Sequence, residues 1–258
     1  MTAAPAGRTV AGADGCKAGW VAVWRRPGAT PETRVFSSFA ELIAYLPQDA
    51  AIAVDMPIGL PEFSGSGGRG PEALVRPLLG ARQSSVFSIP SRAAIYADTN
   101  GFTALETWYE AHRRASAVAR ATSLPSRGVS IQAFGIFSRI RELDIMLREQ
   151  PALIGRVIES HPEVAFWQLN GGQAMALPKK IKGRVNPAGM AERKALLEDK
   201  GVPRAFLDMP PPRGAGEDDF LDATAVMLVA ARFARGEAIS FPDPAGMDAH
   251  GLPIAIRV

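Results

Sequence analysis

The chain has 258 residues, 47% hydrophobic and 21% charged, enough for one large domain or for one domain carrying an insertion. Its formal net charge of +3 and pI near 9.2 fall short of the footprint of a dedicated DNA-binding module. The single cysteine, Cys16, excludes a disulfide framework and a Cys-x-x-Cys metal site. The opening MTAAPAGRTV lacks the apolar stretch of a signal peptide, and no run reaches the ~18 apolar residues of a membrane span, so a cytoplasmic protein is expected.

Residues 1–8 read as a flexible tail and residues 9–258 as one domain. A strand is predicted from Thr9 to Asp14, the glycines of DGCKAG turn the chain, and WVAVWR from Trp20 completes a hairpin. A third short strand is expected over 34–37, and helical spacing begins in FAELIAYL at Phe39. AAIAVDMPIG has apolar residues on both faces, as a central parallel strand does. FSGSGGRG has the composition of a mobile loop. Helical segments fill much of 71–150, interrupted around SSVFSIPSR and LPSRG; this far exceeds an ordinary crossover, so 62–150 reads as a helical insertion.

Strand pattern returns in LIGRVIES, ending at Ser160, before HPEVAFWQL, the basic loop PKKIKGR, the helix AERKALLEDKG and the linker PPPRGAG. A long apolar helix runs from Asp218 to about Arg235, and IAIRV adds a small strand. The expected class is α/β, a mixed sheet covered by helices on both sides.

Three aspartates lie in otherwise apolar elements: Asp14, Asp55 and Asp222. A buried carboxylate either neutralises or finds a cation, so three that converge require a metal. Asp14 and Asp55 end strands that can be neighbours at one edge of the sheet, although each also suits a turn. Asp218 and Asp219 suit the positive end of the long helix as caps, whereas Asp222 is surrounded by apolar residues. Asp219 and Asp222, three apart, share a helix face and can serve one ion. In ESHPE, Pro162 and Glu163 fit a helix start, Glu159 fits a ligand or proton-transfer group at the same strand edge, and His161 is either a cap or an acid–base group.

ADGCKAGW, VDMPIGLPE, RQSSVFSIPSR, SIQAFGIFSRIRELD, ESHPEVAFWQL, PKKIKGR and EDDFLDATAVML, in this order, resemble the family known as domain of unknown function four-twenty-nine, described as a predicted nuclease of ribonuclease-H-like fold. The resemblance runs from Val10 to Ile256. It implies a five-stranded ribonuclease-H-like sheet in which Asp14, Asp55, Glu159, Asp219 and Asp222 are similar in position to the acids of Holliday-junction resolvases of the RuvC and YqgF kind. In place of the family's acidic-x-x-x-Arg pattern with Asp, this chain has Glu72 and Arg76, a pairing it is expected to keep.

The implied chemistry is two-metal hydrolysis of a phosphodiester in RNA or DNA, with Mg²⁺ or Mn²⁺ held by Asp14, Asp55, Asp219 and Asp222 at a spacing of about 3.5–4 Å. Hard oxygen ligands favour those ions over zinc. Arg82, Arg92, Lys179, Lys180 and Arg184 are candidates for phosphate contacts, each also explicable as a surface charge. In the insertion, Arg113, Arg114, Arg120, Arg127, Arg139 and Arg141 alternate with Trp108, Tyr109, Phe134 and Phe137, which fits either single-strand stacking or a core. Gln132 and Ser130 read as a helix start. Two other classes stay open: a nucleotide-dependent phosphotransferase whose DGCKAG turn approaches phosphates, and a non-catalytic interaction protein.

Overall fold

A computed structural model of the chain describes residues 7–99 and 104–258; most of the tail expected over 1–8 lies outside them. Strands β1 (Val10–Cys16), β2 (Gly19–Arg25) and β3 (Glu32–Phe36) form an antiparallel meander, with Gly19 in the tight turn at φ +131°. Helix α1 (Phe39–Tyr45) follows, and the chain returns as β4 (Ala51–Asp55), parallel to β1. After a long excursion, β5 (Val157–Glu159) adds parallel to β4, giving the order β3-β2-β1-β4-β5 of a ribonuclease-H-like sheet. Only three residues of LIGRVIES pair, because Pro151–Leu153 first forms a 3-10 turn.

The excursion contains α2 (Pro71–Val75), a 3-10 segment (Arg76–Ser85), α3 (Arg92–Ile95), α4 (Leu105–Ala121), α5 (Ile131–Gly135) and α6 (Phe137–Glu149). Beyond β5 come α7 (Pro162–Leu169), a small hairpin of β6 (Lys180–Ile181) and β7 (Arg184–Val185), α8 (Pro187–Asp199), α9 (Arg204–Leu207) and α10 (Glu217–Ala234). The basic PKKIKGR segment is therefore a short ribbon rather than an irregular loop. The C-terminal strand β9 (Pro253–Arg257) pairs with β8 (Ser240–Met247), which the sequence hides because Pro242 and Pro244 interrupt it.

Alternation along the strands divides the core in two. Ala11, Ala13, Ile52 and Val54 pack with α1 and the insertion, whereas Val10, Ala51 and Ala53 face the other way, against α10. Every residue of α10 from Phe220 to Ala231 is buried, so its apolar character all round follows from its position inside the second layer. It approaches β1 where there is no side chain: a Cβ on Gly12 would lie 2.1 Å from the Ala223 carbonyl oxygen and 2.3 Å from the Met227 amide nitrogen.

Polar anchors fix the insertion to the sheet. Glu142 on α6 accepts from the Trp20 indole N–H at 3.0 Å and the Phe39 amide at 2.5 Å. Arg92, expected at a phosphate, instead bridges Asp144 at 2.5 Å and Asp248 at 2.7 Å, joining the insertion to the C-terminal hairpin. The aromatic residues expected either to stack on a strand or to pack form a core: Trp108 meets Phe134 edge-on at 5.0 Å, and Phe134 meets Phe137 at 5.3 Å. Only Tyr109 of the four is substantially exposed. Ser130 does start a helix, its hydroxyl accepting from the Ala133 amide.

Gly12→Ala is expected to lower stability by at least about 1–3 kcal/mol, the usual overpacking cost, because the obstructing atoms are helix backbone. Gly135→Ala, with nothing within 4 Å of its added Cβ, is expected to be neutral or to gain about 0.5–1 kcal/mol. Urea midpoints of the two variants measure the contrast.

Candidate metal centre

Asp14 and Asp55 are direct partners in the parallel β1–β4 register. Counting by twos from Gly12 and Ala53 places both carboxylates on the α10 face at the C-terminal edge of these strands. From the helix, Asp222 lies one residue before the Ala223 carbonyl that covers Gly12. One carboxylate oxygen from each of Asp14, Asp55 and Asp222 lies within 4.8 Å of the others. Among the described residues this is the one such group of possible metal ligands.

The electrostatics are those of crowded acids. Burial, then the charges of Asp55 and Asp222, hold Asp14 well above the ordinary carboxylate range. Burial and Asp222 push Asp55 up to about 8. Asp222 is pushed up by burial to about 6, although the Lys179 ammonium opposes the shift. Asp222 Oδ1 is buried with no hydrogen-bond partner, while Oδ2 accepts from Lys179 Nζ at 2.5 Å. Neither Asp14 nor Asp55 forms an ion pair among the described residues. The donor set is thus all oxygen, crowded and short of positive charge, which fits a hard divalent cation.

The other expected acids are used differently. Asp219 Oδ2 accepts from the Gly216 amide at 2.8 Å and caps α10, outside the group of three. Asp218 pairs with Lys180 at 2.5 Å. Glu159 is at the same sheet edge, but its register with Val54 turns it to the opposite face. There Arg69 grips it, Nη2 to Oε1 at 2.5 Å and Nη1 to Oε2 at 2.9 Å, while Arg69 Nε also binds Glu72 at 2.7 Å. Glu72 is therefore paired with Arg69 rather than Arg76, whose guanidinium binds the Val86 and Gly67 carbonyls and Ser88 Oγ.

Around Asp222 a second set of contacts forms. Glu163 accepts from Arg193 at 2.7 Å and lies 3.5 Å from Lys179 Nζ; these two cations outweigh burial and hold Glu163 below its ordinary range. Burial pulls Lys179 down, but Asp222 and Glu163 more than reverse this and keep it charged. Pro162 and Glu163 occupy the first turn of α7, as expected, yet neither Ser160 nor His161 supplies a side-chain cap. His161 Nε2 faces the Ser85 carbonyl at 3.3 Å, and burial followed by the Lys179 charge lowers its pKa to about 4, so the ring is neutral near pH 7.

Of the cations expected at phosphates, Lys179 reaches the acids. Arg184 is exposed on β7, and Arg82, in the 3-10 segment, is absent from the cavity beside the acids. Arg69 and Arg139 do line that cavity; Arg139 is one of the insertion cations that fit either strand binding or a core, whereas Arg69 carries no such signal. Arg69 lies in the FSGSGGRG stretch, where glycine and serine content signals mobility, and a lone arginine gives no pattern by which its burial could be read.

Among the described residues, no helix is long and apolar enough to cross a membrane. No curated protein and no solved structure gives a significant match to the chain. A family model described as "Protein of unknown function (DUF429)" matches residues 12–246, a span that includes most of β1, the insertion, Lys179 and all three clustered aspartates. The chain belongs to the DUF429 family.

Proposed function

We propose that this protein is a Mg²⁺- or Mn²⁺-dependent nuclease that hydrolyses phosphodiester bonds, with Asp14, Asp55 and Asp222 as the metal ligands. The observation that carries the reading is the meeting of these three carboxylates, within 4.8 Å, from two strands and a helix. Asp219, committed to its cap, serves by fixing the start of the helix that carries Asp222.

When bound, the cation polarises a phosphoryl oxygen and makes water a better nucleophile near neutral pH. Hydrolysis then forms a bond from water oxygen to phosphorus and breaks the bond from phosphorus to the leaving sugar oxygen, with the water's proton ending on that oxygen. Lys179, 2.5 Å from Asp222 Oδ2, keeps one positive charge beside the acids and close to where phosphate oxygens must come. Arg69, one positive charge held between Glu159 and Glu72, offsets part of the negative charge these two buried acids would otherwise present to a phosphodiester. The phosphotransferase reading finds less support: proteins of that type duplicate the core, whereas the described residues contain one five-stranded sheet.

A screen with Mg²⁺ and Mn²⁺ over single-stranded, duplex and branched RNA and DNA tests the reading. Asp14→Asn and Asp222→Asn are each expected to lower cleavage by more than about 100-fold, since even residues that only orient metal ligands cost about 10–100-fold. Cleavage by both variants at the parental rate overturns the assignment.

Stability supplies an independent check. A carboxyl with a raised folded pKa binds its proton more tightly folded than unfolded, so it loses stability as pH climbs from the unfolded value near 3.9 through the folded one. For Asp55 the decline runs up to about 8. His161, lowered to about 4, gives the opposite trend below its unfolded value near 6.5. Between about pH 6.5 and 8 the carboxyl effect is therefore isolated. Metal-free protein is expected to melt at a lower temperature at the upper end of that window, Asp55→Asn to flatten the decline, and Mn²⁺ to reverse it in the parent alone. A parent whose melting is unmoved by Mn²⁺ would favour a non-catalytic role.

A further inference from the structure

Beside the acids the sheet edge and the insertion enclose a cavity of about 140 Å³. Asp14 and Asp55 form one part of its wall, the mutually paired Arg69, Glu72 and Glu159 another, and its apolar lining includes Met56, Val86, Phe87, Ile89 and Ile136. A space of this size holds one six-membered ring: an engineered cavity of about 150 Å³ takes benzene. A purely hydrocarbon guest is nevertheless a poor match. Ser160, 2% exposed, lines the cavity with its hydroxyl buried and without a partner, and the neighbouring His161 Nδ1 is likewise buried and unpaired. Because His161 Nε2 faces a carbonyl, it carries the hydrogen, which leaves Nδ1 as an acceptor. A ring with apolar faces and hydrogen-bonding atoms on one edge fits such a lining.

A second feature indicates what the ring is attached to. Arg139, on α6, lines the same cavity and donates to the Cys16 and Gly19 carbonyls, with no carboxylate partner among the described residues. It stands against Gly15, the neighbour of Asp14, where an added Cβ would lie 2.6 Å from Arg139 Cδ. A guanidinium without an acid, next to acids suited to a metal, is a setting for a phosphate group.

The geometry points to a binding site for one unstacked pyrimidine nucleotide, its base in the cavity against Phe87 and Ile136, with the edge of the base at Ser160 and His161 and its phosphate between Arg139 and the aspartates. This rests on the nuclease reading and deepens it: a base enclosed in this way cannot remain stacked in a continuous duplex, so the substrate is a single strand or a short nucleotide fragment.

Calorimetric titration with uridine 5′-monophosphate, in Ca²⁺ to limit turnover, tests this beside ribose 5-phosphate, which lacks the base. The nucleotide is expected to bind about 5- to 150-fold more tightly, the range for one stacked base. Ile136→Trp, which fills the cavity from the insertion side, should remove the advantage, and Ser160→Ala, a minimal truncation, should reduce it. Both variants should retain the Mn²⁺-induced rise in melting temperature. A single-stranded trinucleotide should compete with the nucleotide, and a blunt duplex should not. Equal affinity for the two phosphates, unaltered nucleotide binding in both variants, or competition by the duplex would overturn the inference. If wild-type protein binds Mn²⁺ but no nucleotide, the base site fails alone; if it binds no Mn²⁺, the nuclease reading fails with it.

Discussion

The contact on which the rest of the molecule depends has no side chain on one of its two sides. Helix α10 rests directly on the Cα of Gly12, with the Ala223 carbonyl and Met227 amide where any Cβ would have to be. A helix packed this closely has little freedom to slide, and Asp222, the residue just before the contact, is carried to the two strand-end aspartates. The same burial makes the acid costly. Phe220 to Ala231 form an unbroken buried stretch, so a carboxylate there is withdrawn from solvent, and among the described residues the cation it pairs with is Lys179.

The distribution of fixed positive charge explains why these acids, rather than the others nearby, form the open group. Arg69 is used by Glu72 and Glu159, Arg193 by Glu163, and Arg92 by Asp144 and Asp248. These are buried or half-buried pairs whose value lies less in net stability than in fixing which partner each carboxylate has. Once they are made, Lys179 is shared between Asp222 and Glu163, and among the described residues Asp14 and Asp55 are left without an ion pair. The raised pKa values of Asp14 and Asp55 are the electrostatic record of that shortage.

Much of this is readable from residue pattern because period and burial act locally. Apolar runs on both faces identify β4 as central, and an acid amid continuous apolar helix identifies Asp222 as unusual before any contact is known. Glu159 shows the limit. Its place at the strand edge is plain, but its face depends on pairing with Val54, a register that no local pattern encodes. Arg69 shows another: glycines that signal a mobile loop also give the chain the left-handed turns at Gly67, Gly68 and Gly70 that surround this buried arginine. The partner of Glu72 is ambiguous in sequence for the same reason, since three-residue spacing to Arg69 and four-residue spacing to Arg76 both suit an ion pair and the loop geometry decides between them. Strand β8 was hidden because Pro242 and Pro244 break the alternation by which strands are recognised.

The insertion, which looks from its length like an appendage, completes the site. The core strands supply the acids, but the cavity beside them is closed by residues between β4 and β5, among them Val86, Phe87, Ile136 and Arg139. The α6 side of this wall is held through the hairpin, where Glu142 grips Trp20 and the start of α1 and Arg139 grips the turn after Cys16, while Arg76 holds the Val86 carbonyl. A shift of α6 would therefore move the wall of the cavity and the β1–β2 turn together, while leaving the contact of α10 with Gly12 on the opposite face of the sheet undisturbed. The insertion spans both layers of the core: Ile89, Phe87 and Ile136 pack in the cluster over α1, whereas Val86 packs in the cluster of α10. Changes at Phe87 or Ile136 therefore reshape the cavity wall without reaching the Gly12 contact, whereas a change at Arg139, which stands against Gly15, reaches the residue next to Asp14.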